Sequence, residues 1–236
     1  MNVANRVVII TGATGGLGRI ATKQFADQGA RLVLVGTGLE KLQHMVEELS
    51  LPKERILIRA ADLSQPESAQ TLAQETLERF RRIDILLHLV GGWSGGKSVV
   101  EVAHQEVESM LQQHLWTTYY LAQAVIPAMT ANHWGRILVI SSPTASHPDA
   151  NTAPYAIGKA AQEALILTIA QEVKEKGITA NILLVKTIDV EHARDLKPDA
   201  KNASWTTPEE ITAALLYLSS EEARTINGAR IPLYGG

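Results

Sequence analysis

Residues 11–18 read TGATGGLG and join an apolar run at 6–10 to a segment with helical spacing. Gly12, Gly16 and Gly18 let the backbone turn tightly and approach a pyrophosphate, whose charge then meets the N-terminus of the helix. A strand before the glycines and a helix after them is the context that a phosphate-binding turn requires. The alternative is a glycine-rich turn that serves packing alone. The stretch therefore predicts a phosphate-binding α/β fold.

Short apolar runs alternate with helical segments along the rest of the chain. The runs are apolar on both faces, as buried parallel strands are, and lie at 7–10, 32–35, 56–58, 83–90, 137–140 and 178–185. Helices are predicted over 17–28, 38–49, 66–80, 104–131, 154–176 and 208–219. This alternation, without a linker or repeat, predicts one Rossmann-like domain over 1–236, a doubly wound parallel sheet of about seven strands with helices on both faces. The irregular stretch at 186–206 predicts a substrate lid.

Composition excludes several classes of protein. The chain has 236 residues, of which 45% are hydrophobic and 20% charged, as in an ordinary folded domain. Its net charge of −3 and the lack of a basic stretch argue against nucleic acid as a partner. Without cysteine there is no disulfide, thiolate metal site or cysteine nucleophile, and the histidines lack metal-ligand spacing. No apolar run could span a membrane and the N-terminus does not read as a signal peptide, so we expect a cytoplasmic protein.

Tyr155 and Lys159 form a Tyr-x-x-x-Lys pair in a predicted helix. Their spacing places both side chains on one helix face, close enough to share a proton network. A phenol with a pKa of about 10 is a poor acid–base group at neutral pH unless its anion is stabilised, and a lysine ammonium stabilises it. Ser142, after the predicted strand at 137–140, can steady a substrate oxygen, and Ser141 is the alternative for that role. The opposite interpretation is that Tyr155 and Lys159 are simply surface helix residues.

The glycine spacing, together with Ser142 thirteen positions before Tyr155, resembles the short-chain dehydrogenase/reductase family, and the resemblance runs nearly end to end. It implies a NAD(P)(H)-dependent oxidoreductase that transfers hydride to or from a carbonyl or alcohol carbon. It also implies that Ser142, Tyr155 and Lys159 are the catalytic triad and that Lys159 holds the nicotinamide ribose. In the first turn, the resemblance assigns cofactor contacts to Thr11, Gly12, Thr14, Gly16, Leu17 and Gly18.

After the other strands, the resemblance assigns cofactor contacts to Gly36, Thr37, Asp62, Leu63, Gly91, Thr187 and Ile188, besides Tyr155 and Lys159. Asp62 would contact the adenine, cap the helix at 66–80, or do both. The second strand ends in Gly36-Thr37-Gly38, which offers neither an acid for a ribose 2′-hydroxyl nor an arginine. Without a carboxylate nothing repels a 2′-phosphate, so NADP(H) is favoured over NAD(H), with Thr37 as its donor.

The middle helix and the turn after the fourth predicted strand also depart from the family's pattern. His114 stands where many members carry an asparagine that bends the long middle helix and anchors a proton-relay water. A histidine can hold a water or shuttle a proton because its pKa lies near neutrality, or it can be a helix residue without a chemical role. His88-Leu89-Val90-Gly91 replaces the family's Asn-Asn-Ala-Gly turn, so the asparagines that brace the central sheet are missing.

The loop Gly91-Gly92-Trp93-Ser94-Gly95-Gly96 is similar to that of dihydropteridine reductases, a branch of the family. Trp93 could stack on a planar heterocycle such as a pterin, or pack under the lid. Further similarities to this branch lie at 115–117, 184–189 and 203–206, and at 184–189 Thr187 or Ile188 would replace the backbone contacts of the family's Pro-Gly turn. Ser142 and the missing acid after the second strand depart from the branch.

These features leave three functions open. The leading hypothesis is the carbonyl or alcohol oxidoreductase acting on a small molecule. The alternatives are a dihydropteridine reductase-like enzyme that reduces a quinonoid pterin, and a non-catalytic nucleotide sensor or scaffold. The helices at 104–131 and 154–176 lie where family members form contacts between subunits, which predicts a homodimer or homotetramer; a monomer is the alternative.

Overall fold

The computed structural model describes residues 2–234. In that range the strands are β1 (Val7–Thr11), β2 (Arg31–Gly36), β3 (Ile56–Ala60), β4 (Ile85–His88), β5 (Gly135–Ser141), β6 (Ile178–Leu184) and β7 (Arg230–Pro232). The helices are α1 (Gly16–Asp27), α2 (Leu39–Glu48), α3 (Pro66–Phe80), α4 (His104–Leu111), α5 (Thr117–Ala131), α6 (Ala153–Val173), α7 (Ala193–Leu196) and α8 (Pro208–Leu218).

The strands form one parallel seven-stranded sheet in the order β3-β2-β1-β4-β5-β6-β7. The order reverses between β1 and β4, and the connections on either side of this point leave a crevice at the carboxyl ends of the strands. The doubly wound sheet predicted from the sequence is confirmed. β7 is not apparent in the sequence because it has only three residues, of which Arg230 and Pro232 are exposed and Ile231 is partly buried.

Each face of the sheet is covered by its own apolar cluster. Alternate side chains of β1 point to opposite faces: Val7 and Ile9 pack with α3, α5 and α6, whereas Val8 and Ile10 pack with α1, α2 and α8. Strands buried on both faces must be apolar throughout, which is why these runs stand out in the sequence. Of the helices that the structure describes, none is both long and apolar enough to cross a membrane.

The helix predicted over 104–131 is present over its whole length, with a change of hydrogen-bond register in its middle. A π-helical turn, Gln112–Trp116, separates α4 from α5. Thr118 Oγ1 donates a 2.5 Å hydrogen bond to the carbonyl oxygen of His114, and Thr117 does the same to Gln113. These hydroxyls occupy backbone acceptors inside the helix, and π turns of this kind are frequent at functional sites. The turn places His114 inside the protein, where it is fully buried.

The segment 186–206 is held together by its own hydrogen bonds. Its two ends meet where Ile188 pairs with Thr206, and the buried carboxylate of Asp189 accepts the backbone N–H groups of Ala193 and Arg194 at 2.8 Å each. The helix that follows, α8, starts in a capping box between Thr207 and Glu210, as the Thr-Pro-Glu-Glu sequence indicates. The segment is therefore an ordered element that borders the crevice.

Candidate active site

One groove of two joined cavities, about 420 and 570 Å³ in volume, runs along the carboxyl ends of the strands. Both cavities share the first glycine turn and residues 89–91. The predicted site residues that line the groove are Gly12, Thr14, Gly16, Leu17, Gly18, Gly36, Thr37, Asp62, Leu63, Gly91, Trp93, Tyr155, Lys159, Thr187 and Ile188. Three others, Thr11, His114 and Ser142, are buried and do not line it.

The glycine turn fits a pyrophosphate because close approach excludes side chains. Gly12 has a φ of +69°, and a Cβ there would lie 3.1 Å from the carbonyl group of Leu89. A Cβ on Gly18 would lie 2.2 Å from the carbonyl oxygen of Gly12, so a side chain would push α1 away from β1. A Cβ on Gly16 would lie 2.6 Å from Cγ2 of Val190, which therefore rests on the turn. Bare backbone at the N-terminus of α1 suits an anion.

The far half of the groove contains Gly36, Thr37, Asp62 and Leu63. Asp62 is exposed, and its Oδ1 accepts a 3.0 Å hydrogen bond from the backbone N–H of Ser64. The hydrogen bonds from Ser64 lower the pKa of Asp62. The predicted cap of α3 by Asp62 is not observed, because the N-cap position belongs to Gln65 and no side chain caps it. Asp62 is instead an anion at the edge of the cavity.

Tyr155 is half-buried on α6 and lines the groove. Burial raises the pKa of Tyr155 above its ordinary value, and a hydrogen bond with the Ser142 side chain opposes the rise. Ser142 is also the acceptor for the backbone N–H of Thr144, at 3.3 Å. Ser141 Oγ, by contrast, donates a 2.5 Å hydrogen bond to Glu163. Because the Ser141 hydroxyl is committed to that carboxylate, the geometry favours Ser142 as the partner of Tyr155.

Lys159 lies one helical turn after Tyr155 and is almost completely buried. Its Nζ donates hydrogen bonds to the carbonyl oxygen of Ile140 at 2.8 Å and to Gln162 Oε1 at 3.0 Å. Burial lowers the pKa of Lys159 to about 7, while the carboxylate of Glu163 acts in the opposite direction. Ammonium and amine are therefore both populated near neutral pH.

Two further α6 residues belong to this centre and were not predicted from the sequence. Gln162 Nε2 donates to Thr118 Oγ1 at 3.0 Å. Glu163 pairs with Arg230 on β7 at 2.8 Å, besides accepting from Ser141. The available signal was their position, three and four residues after Lys159, which places polar side chains on its face of a mostly apolar helix.

His114 is placed next to the predicted catalytic residues, but not with a near-neutral pKa. Its ring lies edge-on to Tyr155, with centroids 5.7 Å apart, and its Nε2 donates to the carbonyl oxygen of Gly92 at 3.2 Å. The other ring nitrogen, Nδ1, is buried and has no hydrogen-bond partner among residues 2–234. Burial, followed by the charge of Lys159, lowers the pKa of His114 to about 3. The imidazole is therefore neutral, because desolvation disfavours its cation.

The missing asparagines suggested that the central sheet lacks side-chain bracing, but His88 supplies it. Its Nδ1 lies 2.8 Å from Thr11 Oγ1 and its Nε2 lies 3.1 Å from Thr117 Oγ1. The Thr117 hydroxyl proton goes to the Gln113 carbonyl, so Nε2 must carry the ring proton and Nδ1 accepts from Thr11. Burial, followed by the nearby Lys159 charge, lowers the pKa of His88 to about 3, which keeps this ring neutral.

The tryptophan loop borders the groove as an exposed wall. Trp93 is 64% exposed, so it does not pack under the segment 186–206. The loop is fixed where the Gly96 N–H donates a 2.7 Å hydrogen bond to the carbonyl oxygen of Asn151, just before α6. Ser94 Oγ donates to Glu106 at 3.0 Å. The loop is thus fixed beside the cavity that Tyr155 lines, and most of the Trp93 side chain is open to solvent.

A doubly wound parallel sheet with a bare glycine turn at its switch point and a tyrosine–lysine pair in the same groove defines a class, the Rossmann-like dinucleotide-binding proteins. A family model described as short chain dehydrogenase matches residues 6–201. The chain belongs to the short-chain dehydrogenase/reductase family, and it is an oxidoreductase.

Named relatives match along nearly the whole chain. The chain is 28% identical to the 1,6-dihydroxycyclohexa-2,4-diene-1-carboxylate dehydrogenase of Pseudomonas putida, covering 98% of this chain and 92% of that one. It is 25% identical to the 3-oxoacyl-acyl-carrier-protein reductase of Escherichia coli, covering 100% and 98%. A crystal structure of a short chain dehydrogenase from Bacillus anthracis superposes with a TM-score of 0.87 at 28% identity, covering 98% and 95%.

Proposed function

We propose that this oxidoreductase uses NAD(P)(H) to reduce a carbonyl group or oxidise an alcohol of a small molecule, with Ser142, Tyr155 and Lys159 as its catalytic residues. The observation that carries the proposal is that Tyr155 and Lys159 line the same cavity as the bare glycine turn. When bound, the nicotinamide supplies or accepts the hydride. The named relatives include both dehydrogenases and reductases, which supports the reaction type and leaves its direction open.

The three side chains have separate roles in this proposal. Tyr155 donates a proton to the substrate oxygen in reduction and takes it back in oxidation. Ser142, which is hydrogen-bonded to Tyr155 but lies just behind the groove lining, would hold that oxygen beside the Tyr155 hydroxyl. Its hydrogen bond also opposes the effect of burial on the Tyr155 pKa. Lys159 adds a positive charge when protonated, which would lower the Tyr155 pKa further. With a Lys159 pKa of about 7, this charge is available at neutral pH.

We propose NADP(H) as the preferred cofactor, bound along the groove through the residues assigned from the family resemblance. Thr37 lines the far cavity, and the Gly36-Thr37-Gly38 stretch directly after β2 has no carboxylate to repel a 2′-phosphate. A neighbouring cavity beyond Thr14 is lined by Arg19, Lys41 and His44, with Glu40 as the acid among them. Arg19 is already paired with Glu48 at 2.6 Å, so Lys41 is the better candidate to reach a phosphate.

His114, in this proposal, acts as a neutral hydrogen-bonding group. Its ring lies beside Tyr155, and its buried Nδ1 has no partner among residues 2–234, so a relay water would bind there only after the surrounding side chains made room for it. A cationic relay through the ring is disfavoured by its pKa of about 3.

The substrate end of the groove lies between Trp93 and the segment 186–206, which we propose is a lid. Lys186, Thr187 and Ile188 line this end together with Trp93. The exposed indole face favours a planar ligand, and it is the observation that keeps reduction of a quinonoid pterin as a second candidate.

We also propose a homodimer or homotetramer formed through α4, α5 and α6. Trp116, Tyr119 and Ile157 are each more than 40% exposed on these helices or the turn between them. The rings of Trp116 and Tyr119 are in contact, and exposed apolar side chains grouped in this way favour a protein contact. Gel filtration with light scattering tests this, and a monomer at micromolar concentration would contradict it. The cytoplasmic location expected from the sequence stays a prediction.

The proposal is tested with purified protein, NADPH or NADH, and a panel of ketones, aldehydes and a quinonoid pterin, following absorbance of the reduced cofactor. Tyr155→Phe is expected to lower kcat by about 100-fold or more, because the acid–base group is removed. Cofactor binding, measured by fluorescence, should persist in that variant. Tight cofactor binding without turnover by the wild type would instead indicate a nucleotide sensor.

A further inference from the structure

The buried side of Lys159 contains acceptors that cannot take up a proton. Nζ is hydrogen-bonded to the backbone oxygen of Ile140 at 2.8 Å and to the amide oxygen of Gln162 at 3.0 Å. An amine has two N–H groups and an ammonium three, so these acceptors use two N–H groups in either state. The remaining position on nitrogen, a proton in the ammonium and a lone pair in the amine, is left for the groove that Lys159 lines with Tyr155.

The orientation of the Gln162 amide is imposed by its neighbours. Thr118 gives its hydroxyl proton to the carbonyl oxygen of His114 at 2.5 Å, so Thr118 Oγ1 can only accept from Gln162 Nε2. Flipping the amide would place its N–H groups against the N–H groups of Lys159 and leave two acceptors facing each other at Thr118. Gln162 and Thr118 are both fully buried, so water does not compete for these contacts.

The other titratable groups around Lys159 do not replace this contact. His88 on β4 and His114 on the π-helical turn are kept neutral by burial, with pKa values of about 3. Glu163, on α6 itself, is held by Ser141 and by Arg230 of β7. Tyr155 faces the groove. Of the side chains, Gln162 is the one bonded to Nζ in the described part of the chain.

We propose that Gln162 is a positioning residue for Lys159: its amide oxygen fixes the rotation of Nζ, so that the proton distinguishing ammonium from amine always faces the groove. The effect of this positioning on catalysis rests on the proposed function. When the ammonium gives that proton to an acceptor oxygen in the groove, the N–H bond breaks, an O–H bond forms and the lone pair stays on Nζ; the reverse step restores it. The buried chain runs from donor to acceptor and ends at a backbone carbonyl, so Lys159 exchanges this proton with the groove alone.

The first test measures the Lys159 pKa in the cofactor-free protein, by competitive acetylation with acetic anhydride and peptide mass spectrometry. Gln162→Leu is expected to lower the pKa by about one unit, because it removes a charge-assisted hydrogen bond. Gln162→Glu is expected to raise it, because the acceptor becomes an anion. Thr118→Val, which keeps the contact to Lys159, should shift it less than Gln162→Leu. An unchanged Lys159 pKa in Gln162→Leu, or equal pKa values in the Leu and Glu variants, would overturn the inference, because residue 162 would then not act on Nζ.

The second test uses kinetics. Gln162→Leu should lower kcat on the order of tenfold with little change in KM. It should also move the acidic limb of the pH profile for alcohol oxidation to higher pH, because a less protonated Lys159 lowers the Tyr155 pKa less. An unchanged profile would contradict the positioning role. Thermal melting shows whether each variant is folded; if the Leu variant is not, Gln162→Met, which also removes the amide oxygen, takes its place with the same expected fall in the Lys159 pKa. If the wild type turns over no substrate, the proposed function fails, while the labelling result still decides the role of Gln162.

Discussion

His88 Nδ1 lies 2.8 Å from the hydroxyl oxygen of Thr11, and this buried pair joins β4 to β1 beside the glycine turn. On its other side the same ring is bonded to Thr117 at the start of α5. One neutral imidazole therefore connects the switch point of the sheet to α5, directly after the π-helical turn. His88 therefore braces the sheet, a role that the family resemblance assigns to asparagine.

Replacing His88 by leucine should destabilise the protein. Thr11 and Thr117 would each lose a buried hydrogen bond, which costs about 1–3 kcal/mol of unfolding free energy. Urea denaturation measures the loss. A second variant that also carries Thr11→Val should recover part of it, because no hydroxyl is then left unpaired beside the leucine. An unchanged denaturation midpoint in His88→Leu would contradict the bracing role.

The free energy of unfolding should fall as the pH is lowered below about 6.5. Both His88 and His114 have folded-state pKa values of about 3, against 6.5 for the ordinary side chain. Between these pH values the unfolded chain binds more protons than the folded one, so each histidine can cost up to about 1.4 kcal/mol per pH unit. Denaturant titrations at several pH values measure the slope. His114→Asn should reduce it, and an equal slope in that variant would argue against a buried neutral His114.

NADPH affinity should weaken as the pH rises above 7. In the cofactor-free protein Lys159 has a pKa of about 7. An anionic cofactor stabilises the ammonium, so its binding takes up a proton above that pH and the Kd should rise by up to about tenfold per pH unit. Fluorescence titration across the alkaline range measures this. In Lys159→Met the dependence should largely disappear, and persistence of the wild-type slope would assign it to another group.

Gly18→Ala should impair cofactor binding, because the added Cβ would lie 2.2 Å from the carbonyl oxygen of Gly12. The turn must shift, and we expect the Kd for NADPH to rise on the order of tenfold or more. The matched control is Gly38→Ala, where the nearest atom would be 3.8 Å from the Cβ. Fluorescence titration of both variants compares them. Equal affinities would mean that the turn adjusts without cost.

Thr37→Asp should reverse the cofactor preference. A carboxylate after β2 would repel a 2′-phosphate and accept hydrogen bonds from a ribose 2′-hydroxyl. We expect kcat/KM with NADPH to fall and that with NADH to hold or rise, giving a change in their ratio on the order of tenfold or more. Thr37→Ser, which keeps the donor, serves as the control. A wild-type ratio in the Asp variant would place the 2′-position elsewhere.

The sheet could be predicted from the sequence because its signal is local. Strands buried on both faces must be apolar, so β1, β2 and β5 can be recognised in the sequence as runs of valine, isoleucine and leucine. The predicted strand at 83–90 is longer than β4, because Leu89 to Gly91 leave the sheet to line the groove. The apolar run continues past the strand, so composition alone does not mark where pairing stops.

The candidate site was only partly predictable. Tyr155 and Lys159 follow from a fixed spacing on one helix, but the Gln162–Thr118 contact joins residues 44 positions apart and depends on packing. His114 illustrates the same limit for electrostatics. Sequence reasoning assumes the ordinary near-neutral pKa of imidazole, whereas burial in the π-helical turn lowers the pKa of His114 to about 3. Periodicity also gives no sign of the π-helical turn inside the helix over 104–131.

The methyl groups of Val190 rest on Gly16, where the backbone would meet a phosphate. A nucleotide phosphate bound at Gly16 would require this side chain to move aside, and its release would require the same. Under the proposed function, exchange of the cofactor would then be coupled to displacement of the segment that carries Val190, and a contact remote from the reacting atoms would influence the rate of turnover.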